Sequence, residues 1–102
     1  MSTFAEVDAQ RIESAANMLK AIAHPIRLAI LGYLVDGEEF TVTEIHELVQ
    51  IEQSTASHHL GILKDKGIAI SRRKGKNTLY SIRNRNLKKL VECINTCACV
   101  DE

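Results

Sequence analysis

Gln53-Ser54-Thr55-Ala56-Ser57-His58-His59-Leu60-Gly61-Ile62-Leu63 is where the chain declares its fold. On a helical wheel at about 100° per residue, Ala56, Leu60 and Leu63 gather on one side, with His59 flanking them. Ser54, His58 and Gly61 fall opposite, and Thr55, Ser57 and Ile62 lie on the margins. The helix is predicted to end at Gly67. Its outward face carries short hydrogen-bonding groups and almost no charge. A solvent-facing helix ordinarily uses Lys, Glu and Arg, which hold helices better than Ser and Thr do. Here they appear only at Lys64-Asp65-Lys66.

Immediately upstream, Thr41-Val42-Thr43-Glu44 offers a Thr-x-x-Glu capping box, and Ile45, Leu48 and Val49 supply the core face of a short third helix. Gln50-Ile51-Glu52-Gln53 reads as a tight turn, with Ser54 or a neighbour capping the next helix. Farther back, Ile12, Ala15, Ala16, Leu19 and Ile22 form an apolar stripe on a first helix from about Asp8 to Ala23. His24-Pro25 breaks it. Pro25 suits the first position of a new helix, where its missing N–H costs nothing. His24 reads as a packed or capping histidine. Ile26, Leu28, Ala29, Ile30, Leu31 and Leu34 make that second helix apolar on most sides and predict deep burial, up to a left-handed cap at Asp36-Gly37. Downstream the period changes to two. Ile68, Ile70, the basic run Ser71-Arg72-Arg73-Lys74, and Thr78-Tyr80-Ile82 predict two strands joined at Lys74-Gly75-Lys76-Asn77. Asn84 can cap a last helix whose apolar face is Leu87, Leu90, Val91, Ile94 and Ala98. Four helices, a basic-tipped hairpin and a final helix make a mainly α fold with a β-hairpin wing, a winged helix-turn-helix. It is read as a single domain over residues 1–102 with a cysteine-containing tail over 93–102.

The composition agrees with that reading. The chain has 102 residues, 45% apolar and 25% charged, enough for one compact domain. It contains no apolar run of membrane-spanning length, so no membrane role is expected. The first residues, Met1-Ser2-Thr3-Phe4-Ala5-Glu6, lack the regions of a secretion signal, which places the chain in the cytoplasm. No nucleophile–base pair, phosphate loop or paired-carboxylate constellation appears, so an enzyme is not expected. His46 on the third helix has no Cys or His partner at ligand spacing. The formal net charge of zero conceals an asymmetry. Residues 1–52 hold three Lys or Arg against nine carboxylates, whereas residues 53–92 hold ten against two. A concentrated basic segment is the electrostatic footprint of a polyanion partner.

Duplex DNA fits both halves of that segment. A slim helix can sink into a major groove only ~12 Å wide far enough for short side chains to reach base edges and phosphates. Gln53, Thr55, Ser57 and His58 are candidates for contacts at or near the bases, and Ser54 with the helix N-terminal N–H groups suits a phosphate. His59 is expected to join His58 on the reading surface. The hairpin residues Arg72, Arg73, Lys74 and Lys76 suit backbone or minor-groove contact. Lysines there also protect an exposed strand edge, and the two roles are compatible.

Three segments resemble the ArsR/SmtB family of bacterial metal- and stress-responsive repressors over about residues 10–95. They are Leu19 to Leu31 (LKAIAHPIRLAIL), Gln53 to Leu63, and the wing from Gly67-Ile68 through Arg72-Arg73-Lys74-Gly75-Lys76 to Leu79-Tyr80-Ser81-Ile82. The resemblance implies a homodimer joined by its first and last helices, an imperfectly palindromic operator in double-stranded DNA, and repression relieved by an inducer. The apolar stripes on the terminal helices are suited to such a dimer surface.

Two inducer sites of the family lack their residues here. The third-helix thiolate site needs Cys-x-Cys where this chain has Thr41-Val42-Thr43. The terminal-helix zinc site needs Asp and His where it has Arg83-Asn84-Arg85-Asn86, with no later His. All three cysteines fall instead in the final ten residues, at Cys93, Cys97 and Cys99. Cys93 and Cys97 share one edge of the last helix, about 40° apart on the wheel. Were the helix to fray near Cys97, Cys99 could join them in a soft three-thiolate pocket for As(III), or for Zn²⁺ or Cd²⁺ with a fourth ligand. Thiol oxidation and simple packing on a buried edge are the alternatives.

Overall fold

The computed structural model describes the backbone of residues 9–100 and the side chains of residues 9–97. Helix α1 spans Ala9–Ile22, α2 Pro25–Leu34, α3 Val42–Val49, α4 Gln53–Asp65 and α5 Leu87–Val100; the strands are β1 Phe40–Thr41, β2 Ala69–Lys74 and β3 Asn77–Ile82. The expected helix start at Asp8 lies outside the described residues. The winged helix-turn-helix order is present, with one element that periodicity could not announce. The two residues of β1 extend the hairpin into a three-stranded antiparallel sheet ordered β1-β3-β2. Phe40 pairs with Tyr80, and Thr41 with Leu79.

Local chemistry sets the joints. His24 is the N-cap of α2, its Nδ1 accepting from the Ile26 N–H at 3.1 Å, with Pro25 opening the helix. Thr41 caps α3 through the reciprocal box with Glu44, at 3.1 and 2.8 Å. The α3–α4 turn places Gln50 in the left-handed region at φ 63°, and His46 Nδ1 lies 3.1 Å from the Ile51 carbonyl oxygen. Helix α4 ends at Asp65 rather than Gly67. Gly67, at φ 76°, closes it with a Schellman motif, its own N–H donating to the Lys64 carbonyl and that of Ile68 to the Leu63 carbonyl. Gly75, at φ 63°, occupies the first place of the two-residue β2–β3 loop, a conformation glycine takes without cost.

The core gathers Ile22, Ile30, Leu31, Leu34, Ile45, Leu60, Leu63 and Ile68, each at most 2% exposed, from α1's end, α2, α3, α4 and the root of β2. The expectation of a deeply buried α2 holds on one side only. Ala29, Gly32 and Tyr33 are exposed and Ile26 and Leu28 half-buried, because α3, α4 and α5 cover a single flank.

Candidate nucleic-acid interface

Helix α4 is held by Ala56, Leu60 and Leu63, all 0% exposed, together with His59 at 7%. His59 therefore belongs to the core face and not to the reading surface. Its Nδ1 accepts from Arg27 Nε at 3.2 Å. Burial first, and then the neighbouring His24, Arg27 and His58, hold its ring below the ordinary histidine range. On the opposite side Gln53, Ser54, Ser57 and His58 are exposed, and Thr55 is half-buried. Glu52, not Ser54, occupies the N-cap position, and no side chain caps the helix. The Ser54 hydroxyl and the first-turn N–H groups are thus left on the open surface.

The hairpin register sorts the basic residues. Ala69 and Ile82 pair and are buried, so that face of the sheet is the one against the core. Side chains alternate, so Ser71 and Arg73, opposite Tyr80 and Thr78, share it. Ile70, Arg72 and Lys74, opposite Ser81, Leu79 and Asn77, take the other. Exposed Ile70 fits that division. Arg72 reaches from the outer face to Glu39, just before β1, in a two-pronged pair at 2.5 and 2.7 Å. The Arg72 hydrogen bonds pull the Glu39 carboxyl below its usual range, and Glu39 raises the guanidinium in return. Arg73 and Lys76 are exposed, and no carboxylate pairs with either among the described residues. The expected cluster Arg72, Arg73, Lys74 and Lys76 is therefore divided: Arg72 is tied down, Lys74 stands near Glu39, and Arg73, on the other face of the hairpin, and Lys76, in its loop, are open to solvent.

The far end of the chain is built differently. Leu87 and Val91 root α5 in the core, while Cys93 and Cys97, one turn apart, are exposed. Within the protomer both thiols are open to solvent. The helix continues to Val100 without fraying at Cys97, and the Cys99 side chain lies outside the described residues. Among the described residues no three His, Cys, Asp or Glu side chains come together as a metal site. Lys88 is drawn away to Asp36 at 3.4 Å. Along α1, every residue from Ala9 to Lys20 is exposed, including Ile12 at 42% and Leu19 at 50%. None of the described helices is long and apolar enough to cross a membrane.

Residues 22–72 match the model of a helix-turn-helix domain family. The biofilm growth-associated repressor of Xylella fastidiosa is 37% identical over 91% of this chain and 81% of its own length. A homologue of the cadmium resistance transcriptional regulatory protein CadC from Staphylococcus aureus is 36% identical over 76% of this chain and 64% of its own. Among solved structures, a homodimeric winged helix-turn-helix DNA-binding domain from Mycobacterium bovis superposes with a TM-score of 0.77 at 31% identity, covering 88% of this chain and 82% of that one. Fold, recognition helix and wing together define a DNA-binding transcriptional regulator of the winged helix-turn-helix class. Within that class, the chain belongs to the ArsR/SmtB family of repressors.

Two residues that matter were not assigned roles from sequence. Arg27 stands in a quoted motif, and its signal was a lone guanidinium inside an apolar helix. Glu39 was invisible, because its partner lies 33 positions away.

Proposed function

We propose that the protein is a cytoplasmic repressor that binds a palindromic operator as a homodimer and leaves it when an inducer engages the cysteines of α5. The observation that carries the DNA half is the pairing of an exposed, uncharged α4 face with the exposed Arg73 and Lys76 of the wing. Gln53, Thr55, Ser57 and His58 read or approach bases, and Ser54 holds a phosphate. Lys74 and Arg72 flank the groove from the wing. Two-fold symmetry sets two such heads about one helical turn apart. The uncovered apolar stripe of α1 supports the dimer, as does the homodimeric neighbour structure.

For the inducer, exposed Cys93 and Cys97 are two soft donors on one edge of α5, suited to a thiophilic ion such as As(III), Zn²⁺ or Cd²⁺. Two donors make an incomplete site, so Cys99 or the partner subunit's thiols would complete it. A bound ion would tie together groups on a dimer-forming helix, and these residues would pass that constraint to the spacing of the reading heads. The exposure of both thiols favours a second reading, in which peroxide oxidises two thiols to a disulfide, the two electrons and two protons reducing it to water.

One titration tests both halves. Operator DNA bound by the wild-type protein is challenged with As(III), Zn²⁺, Cd²⁺ and peroxide, with thiols counted in parallel. Ser57→Ala with His58→Ala should weaken operator binding by about tenfold or more while leaving the thermal midpoint in place. Unchanged affinity would remove the α4 assignment. Cys93→Ser with Cys97→Ser should abolish release and leave DNA affinity intact. Release of that variant at the wild-type inducer concentration would put the sensor elsewhere. Ion against peroxide separates the two inducer readings.

A further inference from the structure

We propose that Arg27 is a positioning residue for operator recognition: through the neutral ring of His59 it fixes α4 against the end of α1, and protonation of that ring releases the helix. This rests on the reading of α4 as the helix that meets DNA. The last carbonyls of a helix have no partner within it. Arg27, in the first turn of α2, supplies one to α1, its Nη1 donating to the Ala21 carbonyl at 2.8 Å. The same guanidinium donates through Nε to His59 Nδ1. One rigid planar group thus bridges the end of α1 and the buried face of α4.

An arginine only donates, so His59 Nδ1 must present a lone pair, and the ring is the neutral form protonated on Nε2. His24 is held the same way, its Nδ1 accepting from the Ile26 N–H. The His24 and His59 ring centres are 4.6 Å apart, and those of His59 and His58 are 5.2 Å apart. A row of three imidazoles therefore runs from the cap of α2 through the core to the open face of α4. The groups facing His59 are His24 at the α2 cap, Arg27 on α2 and His58 on α4 itself, and α1 contributes the Ala21 carbonyl through Arg27. All three side chains disfavour a charge on His59, as does burial. A proton on Nδ1 would point at the Arg27 N–H, remove the hydrogen bond, and set two cations together inside the fold.

The sign follows. A ring held below its ordinary value favours the folded joint in its neutral form. That contribution is complete above the unfolded pKa of about 6.5 and is lost as the pH falls below it. Because α1 carries the uncovered apolar stripe, a joint on its last turn also ties the dimer surface to the reading head.

The test measures binding to a duplex selected from random DNA by the wild-type protein, between about pH 7.5 and 5.5, in a His58→Gln background. That background takes the imidazole on the open face of α4 out of the comparison, so that the profile reports the buried joint. The His58→Gln protein should lose about tenfold in affinity across this range. Adding His59→Gln, whose Oε1 can still accept from Arg27 but cannot titrate, should keep the affinity at pH 7.5 within about twofold and flatten the profile. Arg27→Met should weaken binding about tenfold at pH 7.5. Undiminished acid loss in the His59→Gln protein would overturn the proposal, and so would wild-type affinity in Arg27→Met. Should Arg27→Met fail to fold, the His59→Gln profile alone decides. Failure of the wild-type protein to select any duplex would instead sink the underlying reading of α4.

Discussion

Helices α1 and α4 are nearly equal in length, 14 and 13 residues, yet their apolar residues meet opposite fates. Helix α4 seats Ala56, Leu60 and Leu63 in the protomer's own core. Helix α1 seats only Ala21 and Ile22 there, and leaves Ile12, Met18 and Leu19 uncovered. On a wheel the two stripes look alike, since periodicity reports that a face is apolar and not what covers it. The difference teaches where each helix obtains its position. The reading helix takes it from within the chain, whereas the terminal helix, in the proposed homodimer, takes it from a second copy.

The largest expected effects come from exchanging the two kinds of apolar residue. Leu60→Ala should cost about 3 kcal/mol of folding stability, read as a lowered urea midpoint, because it opens a cavity in a closed core. That is a large share of the roughly 5–15 kcal/mol that holds a domain of this kind. Leu19→Glu with Ile12→Glu should instead leave the protomer's helical content intact and convert a dimer to a monomer by sedimentation. Operator affinity should then fall by about a hundredfold, as the linked second half-site is lost. A double variant that still sediments as a dimer would show that α1 is not the joining surface, and the contrast between the helices would fail.

How much of this was legible in the sequence follows from the range of each interaction. The capping box at Thr41 and Glu44, the Pro25 helix start and the Gly75 turn depend on residues within four positions of each other, and a linear reading finds them. The buried and outward faces of α4 were also legible, because one period fixes both. Strand β1 was not: two residues are too few to show alternation, and it exists only because β3 offers an edge to Phe40 and Thr41. Nor could the wheel settle His59. It sits at the margin of the apolar face, and what makes it a core residue is Arg27, 32 positions earlier. The thiols remain half legible. Their clustering was plain and Cys93 and Cys97 prove exposed, but the structure gathers no third ligand among the described residues.

The smallest expected effect concerns two adjacent arginines of the wing. Sequence treats Arg72 and Arg73 alike, whereas the register sends them to opposite faces of the sheet. Arg72 already satisfies its guanidinium on Glu39, and an approaching phosphate would have to replace a two-pronged carboxylate partner to recruit it. Among the described residues Arg73 has no such partner to give up. Each phosphate contact contributes about 0.9 to the slope of log affinity against log salt, and the proposed dimer would present two wings. Arg73→Ala should therefore flatten that slope by about two, and Arg72→Ala should leave it unchanged, with only a small loss of affinity as the root of the wing loosens. An equal flattening by the two substitutions would mean that Arg72 abandons Glu39 for DNA, and the faces of the wing would then have to be treated as one surface.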